Sequence, residues 1–240
     1  MRLLKIVLNM VLVFCFFPMV AHAFMLGGTR VVLYQDKGSV SLSVISGKED
    51  PLYLIRTRIT RTLDDNQPMT AFLITPQLFR LEPGARNELR ISLANPSALS
   101  SERESVFYLK VAGIPSSNPL NKDSKIGFTG AEIQFGTGNI IKLFYRPHGL
   151  GPVTLDSYRS IKYSRVPGGI KVTNPTPYHI NFGSLKVDGV RVLIDKKQPA
   201  MVAPQSSRVY YFGGNTPKKE VAWRVLDDDG NVQSGISSLQ

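Results

Sequence analysis

Beyond residue 23 the chain alternates apolar and polar positions in short runs, and turn residues separate the runs at fairly regular spacing. Thr29–Tyr34, Ser39–Ile45, Leu52–Ile59, Ala71–Thr75, Glu88–Leu93 and Ser105–Val111 form a first series of predicted strands. Lys37-Gly38, Pro68, Pro83-Gly84 and Asn95-Pro96 lie between them. A second series follows at Ile170–Thr173, Ile180–Val187, Val190–Ile194, Arg208–Phe212 and Val221–Leu226. Asp188-Gly189 between two such runs predicts a type I′ hairpin, because both central positions of that turn need positive φ. No segment keeps a 3.6-residue period for three turns, so the chain reads as all-β and sandwich-like.

The longest run, Ile133–Pro147, has the most distinctive pattern. Ile133, Phe135 and Thr137 share one face by period-two alternation, and Asn139, Ile141, Leu143 and Tyr145 continue it. Lys142 places a positive charge on the other face, and Arg146-Pro147 ends the run. The following Arg146–Pro152 segment holds two prolines and two glycines, which makes it the best domain boundary. The expected division is therefore residues 1–23, 24–147 and 148–240.

The first of these pieces reads as a secretory signal peptide. Arg2 and Lys5 precede an apolar stretch, Ile6–Phe17, which is too short to span a bilayer core. Pro18 breaks it, and Ala21-His22-Ala23 supplies the small-x-small cleavage pattern, so the mature chain is expected to begin at Phe24 without stable membrane insertion. The single cysteine, Cys15, lies in the removed segment, so each domain must rely on its apolar core rather than on a disulfide.

The formal charge of +11 fits a nucleic acid, an anionic surface or an acidic partner. The cations are spread in ones and twos, with no arginine-rich tract and no aromatic RNA-binding motif, so nucleic acid is not expected. Only His148 and His179 remain in the mature chain, too few for a zinc site or a Cys/His nucleophile. There is no G-x-S-x-G elbow, phosphate loop or dinucleotide fingerprint. Asp227-Asp228-Asp229-Gly230 lacks the ligand spacing of a calcium loop and reads as a hairpin turn. Neither catalysis nor a metal or cofactor is expected.

Five stretches in order resemble the periplasmic pilus chaperones of the chaperone–usher pathway. They are Gly28-Thr29-Arg30-Val31-Val32, Leu89-Arg90-Ile91, Arg103–Pro115, Ile141–Pro147 and Asn174-Pro175-Thr176-Pro177-Tyr178. The resemblance implies two immunoglobulin-like β-sandwich domains in a boomerang arrangement, in the periplasm. It implies pilin (fimbrial) subunits and an outer-membrane usher as partners. Pilins lack a last strand, and the chaperone lends its seventh, a case of β-strand addition. An unpaired strand edge also makes transient self-association an expectation.

Residue for residue, the resemblance makes Ile133, Phe135 and Thr137 the side chains that plug the pilin groove. Thr137 is small and polar where the family usually carries a bulky aliphatic. It makes Arg30 and Lys142 the anchor for the subunit's terminal carboxylate, and Glu104, Arg146 and Asp228 an interdomain ionic cluster. Gln77 stands where a second proline is common, so no cis bond is assumed at Thr75-Pro76. Ser116–Gly130 looks like an insertion in a short-loop member. The alternative is a secreted immunoglobulin-like structural protein, such as an adhesin or pilin. Against it, few residues precede the first strand, and Ile133–Tyr145 supplies a seventh.

Overall fold

The computed structural model describes residues 23–115, 136–212 and 220–240. Within them the protein is nearly all β, with two immunoglobulin-like sandwiches, each on its own core.

The N-terminal sandwich has strands β1 (Met25–Leu26), β2 (Arg30–Tyr34), β3 (Ser39–Ile45), β4 (Tyr53–Thr60), β5 (Phe72–Thr75), β6 (Leu78–Leu81), β7 (Arg86–Leu93), β8 (Ser105–Pro115) and β9 (Thr137–Arg146). One sheet runs β1-β3-β7-β5 and the other β2-β9-β8-β4-β6. Alternation drives this layering: Tyr53, Ile55 and Ile59 of β4, Phe107, Leu109 and Val111 of β8, and Leu143 and Tyr145 of β9 point inward. They meet Leu42, Val44, Leu89 and Ile91 from the facing sheet.

The first strand changes sheets part-way, and this shapes the site. Met25 and Leu26 pair with Ile45 and Val44, whereas Arg30–Tyr34 runs parallel to Lys142–Arg146 in the other sheet. Gly27 lies at the crossing, where its backbone N–H donates to the Ser43 carbonyl at 2.8 Å. A β-carbon there would stand 2.2 Å from the Ser43 hydroxyl, so glycine suits the close approach.

The C-terminal sandwich comprises a short helix α1 (Leu155–Arg159) and strands β10 (Lys162–Val166), β11 (Gly169–Asn174), β12 (Ile180–Val187), β13 (Val190–Arg191), β14 (Met201–Val202), β15 (Ser206–Tyr211), β16 (Glu220–Leu226) and β17 (Val232–Ser238). Its sheets run β10-β11-β15 and β13-β12-β16-β17, with β14 also on β12. Trp223, Tyr163, Tyr210, Ile170, Leu185 and Val221 fill the space between them.

Asp188 and Gly189 have φ of 47° and 84°, and Val187 pairs with Val190, as the type I′ reading requires. Asp227–Asn231 closes the β16–β17 hairpin, with the Asp227 carboxylate accepting from the backbone N–H of Asp229 and Asn231. The Thr75-Pro76 bond is cis, although a neighbouring second proline is absent. The tertiary amide that makes cis accessible belongs to Pro76 itself, so the following residue carries little of that preference.

Candidate functional site: a cleft with an open strand edge

Strand β9 has two neighbours over only part of its length. Against β8 it pairs from Thr137 (with Gly113) to Tyr145 (with Ser105). Against β2 it pairs only from Lys142 to Arg146. The sheet change at Gly27 thus leaves Thr137–Ile141 with a backbone edge that β2 does not cover. Ile141 packs on the N-terminal core, while Ile140 is exposed.

Of the three predicted plug residues, Ile133 and Phe135 lie outside the described residues. Thr137 is the first residue of β9, half-buried, and its hydroxyl is buried without a hydrogen-bond partner. The backbone O of Phe24, whose ring is buried against Tyr53, accepts from the Asn139 amide at 3.4 Å.

Arg30 and Lys142 are direct partners across the β2–β9 ladder, at the point where the open edge begins. The Arg30 guanidinium donates to the Leu226 carbonyl at 3.2 Å, and its Nε is buried without a partner. The Lys142 ammonium donates to the Asn181 side-chain oxygen at 2.5 Å. Leu226 and Asn181 both belong to the C-terminal sandwich, so the two cations sit between the domains. Burial lowers the pKa of Arg30, against which the charge of Asp228 works. Burial also lowers that of Lys142, and the neighbouring Arg30 charge adds to the effect. Two cations in this position favour an anion between them.

Glu104, Arg146 and Asp228 also come together. Arg146 Nε donates to Glu104 at 2.8 Å, and its two terminal nitrogens donate to the two Asp228 oxygens at 2.7 and 2.6 Å. The Arg146 and Glu104 side chains are 1% and 2% exposed, and that of Asp228 is 27% exposed. Burial alone would lower the Arg146 pKa; the hydrogen-bonded Asp228 and the Glu104 charge outweigh it and raise the value. The guanidinium also lies over the rings of Tyr34 and Tyr178, 5.3 and 5.0 Å from their centroids.

Sequence reasoning did not single out His179 or Asn181. The second Glu104 oxygen accepts from the His179 backbone N–H and faces its ring Nδ1, both at 2.9 Å. The Asn174–Tyr178 stretch sets this up locally. The buried Asn174 amide donates to the carbonyls of Tyr178 and Ala203, while its oxygen accepts from Thr176. That closed loop presents Pro177 O to the Glu104 backbone N–H at 2.9 Å and brings His179 beside it. The motif itself was a usable signal, but Glu104 lies 75 residues before His179.

Among the described residues no group of three His, Cys, Asp or Glu side chains is placed to hold a metal ion. No helix there is long and apolar enough to cross a membrane.

Residues 23–151 match the family described as "Pili and flagellar-assembly chaperone, PapD N-terminal domain", and residues 156–237 match "Pili assembly chaperone PapD, C-terminal domain". The chain is 30% identical over 205 residues to the probable fimbrial chaperone protein ElfD of Escherichia coli O157:H7, covering 85% of this chain and 82% of that one. It is 28% identical over 233 residues to the chaperone protein FocC of Escherichia coli, covering 97% of each. Among solved structures, the E. coli chaperone DraB superposes with a TM-score of 0.74 at 30% identity, over 91% of this chain and 97% of that one. The Salmonella enterica SafB chaperone, solved in complex with the SafA pilin, shares the fold with a TM-score of 0.76 at 23% identity, over 92% and 99%. The chain therefore belongs to the PapD-like family of pilus-assembly chaperones.

Proposed function

We propose that this chaperone acts in the periplasm, where it binds, folds and caps pilin subunits by lending them the β9 strand and the residues before it. The observation that carries this reading is the edge of Thr137–Ile141, which no described strand covers and which ends at the Arg30–Lys142 pair. A subunit missing one strand has an unpaired sheet edge and an exposed apolar groove, both of which promote aggregation. Main-chain pairing along Thr137–Ile141 would satisfy the edge, and alternate side chains would fill the groove. On this reading Ile133 and Phe135 supply most of the plug, at roughly 1.5–3 kcal/mol for each fully buried side chain.

Pairing along a strand leaves the register free to slip by two residues. A subunit's terminal carboxylate held by Arg30 and Lys142 removes that freedom, since charge-assisted bonds form at one place only. Leu226 O and Asn181 then act as placeholders that the carboxylate replaces. Glu104, Arg146, Asp228 and His179 hold the angle between the domains, so that the cleft remains the width of one strand end.

In this scheme residues 1–23 are a cleaved export signal, residues 24–147 form the donating domain and residues 148–240 the second sandwich. Delivery to the outer-membrane usher needs no nucleotide or cofactor: the next subunit's extension replaces the lent strand when it fits the groove better. The test is a tagged pull-down from the periplasm of the native host, with mass spectrometry of the proteins recovered. Pilin subunits should accompany the wild type and not folded Arg30→Ala or Lys142→Ala variants. Equal recovery by all three would sink the anchor, and no subunit with any of them would sink the chaperone reading for this cleft.

A further inference from the structure

The outward face of the β13-β12-β16-β17 sheet carries a second group of cations, separate from the Arg30–Lys142 pair. Lys186 of β12 pairs directly with Arg191 of β13. On its other side Lys186 pairs with Ala222 of β16, which in turn pairs with Ile236 of β17. Two residues along, Ser184 pairs with Arg224, and Arg224 with Ser234. Lys186, Arg191 and Arg224 are all exposed, and among the described residues none has an ion-pair partner.

Like charges directly opposite each other in a ladder repel. Here two cations share one rung and a third lies on the next rung of the same face. Glu220, beyond Ala222 in the same row of β16, forms no ion pair with them among the described residues, and the Asp188 carboxylate accepts from the Glu220 backbone N–H. The face is also recessed. Two adjoining troughs, of about 440 and 280 Å³, share Ser184, Lys186 and Arg224. Beneath them the Trp223 ring, 2% exposed, packs in the core against Gly235, where a β-carbon would come within 2.4 Å of the ring. Val232 and Ile236 form the far wall, 47% and 68% exposed.

We propose that this trough binds an extended acidic segment of a partner protein, with carboxylates at positions i and i+2. The spacing supports that chemistry. The Lys186–Arg191 rung and the Arg224 rung are two residues apart, about 6.6 Å along a strand, which is the same-face repeat of an extended chain. One carboxylate sits between Lys186 and Arg191, the next reaches Arg224, and the apolar side of the segment lies toward Ile236 and Val232. A lipid surface is the poorer occupant, because it is met by protruding side chains rather than by a recessed floor.

The probe is a synthetic peptide with Glu at alternate positions and Thr or Val between, titrated into the mature full chain at low salt and followed by amide NMR shifts. Shifts should map to 183–187, 191, 222–225 and 232–236. A Lys186→Gln/Arg191→Gln/Arg224→Gln variant should bind at least tenfold more weakly, and the peptide with Gln for Glu should not bind. A control that removes as much charge from elsewhere on the domain, Arg159→Gln/Lys162→Gln/Lys171→Gln, should bind as the wild type does. All six positions are exposed, and thermal melting checks that both variants fold. Equal weakening by the two variants would reduce the effect to net charge and overturn the site. Absence of peptide binding, or binding of phosphatidylglycerol vesicles in its place, would overturn the assignment to a protein segment.

Discussion

Arg30 and Lys142 stand opposite each other on one rung of a parallel ladder, two cations held half-buried at the start of a strand edge that β2 leaves unpaired. Folding alone would avoid that placement. Each loses hydration, and burial followed by mutual repulsion lowers the Lys142 pKa.

Replacing Lys142 by Met should therefore stabilise the free protein while abolishing subunit capture. A lysine whose pKa is lowered on folding binds its proton less tightly in the folded than in the unfolded state. Its charge then costs stability at neutral pH, and that cost fades as pH rises from the lowered value toward the ordinary 10.5. Lys142→Met should gain at most about 1 kcal/mol near pH 7, because the site is only half-buried and the buried Asn181 oxygen loses its donor. The gain should shrink toward pH 10. Denaturant melts of both proteins across that range check the sign, and a Met variant less stable than wild type at pH 7 refutes it.

Arg146→Met should have the opposite outcome. It removes the cation shared by Glu104 and Asp228 and leaves the 2%-exposed Glu104 carboxylate with only His179 as donor. The expected loss is about 3–5 kcal/mol, as for breaking a buried pair from one side. Asp228→Asn should cost less, since that carboxylate is partly exposed and keeps its acceptor oxygen. Calorimetry should find the two sandwiches melting apart in the Arg146 variant; a single unchanged transition would remove the ionic cluster from the account of how the domains are joined.

Thr137 offers a test at the base of the open edge. Its hydroxyl is buried and makes no hydrogen bond. Thr137→Val keeps the shape and removes the unsatisfied group, so the free protein should gain about 1 kcal/mol. If the side chain also enters a subunit's groove, the Val variant should retain captured subunits longer in a chase with a donor-strand peptide. Loss of stability in the variant would mean that the hydroxyl is solvated or bonded in solution.

The parts of this design that were legible in sequence are those set by local alternation. Ser39–Ile45 and Ile180–Val187 were read to the residue because each presents a clear apolar face between turn residues. Leu78–Leu81, Lys162–Val166 and Val232–Ser238 were missed. The last of these is mostly polar and small, and only its pairing with β16 makes it a strand. Arg30, Lys142, Glu104, Arg146 and Asp228 come from the family resemblance, which marks positions without supplying their contacts. Asn181 and His179 had no such cue, because what brings them to Lys142 and Glu104 is the packing of one domain on the other.

His179 is where that packing can be measured. It donates its backbone N–H to Glu104 and sets its ring nitrogen 2.9 Å from the same oxygen, while the ring lies 5.8 Å from that of Phe144. His179→Leu keeps the backbone bond and most of the apolar contact but removes the ring partner of a carboxylate that is almost fully buried. The expected cost is about 1–3 kcal/mol, the range for leaving a buried acceptor short of a donor. Glu104→Gln should cost more, because it also uncouples Arg146. If the ring and the carboxylate act on each other directly, the double variant should be less destabilised than the two single losses added together, by more than the roughly 0.5 kcal/mol within which distant sites add. An additive cycle would mean that His179 contributes packing alone and that Arg146 carries the electrostatic joint between the domains.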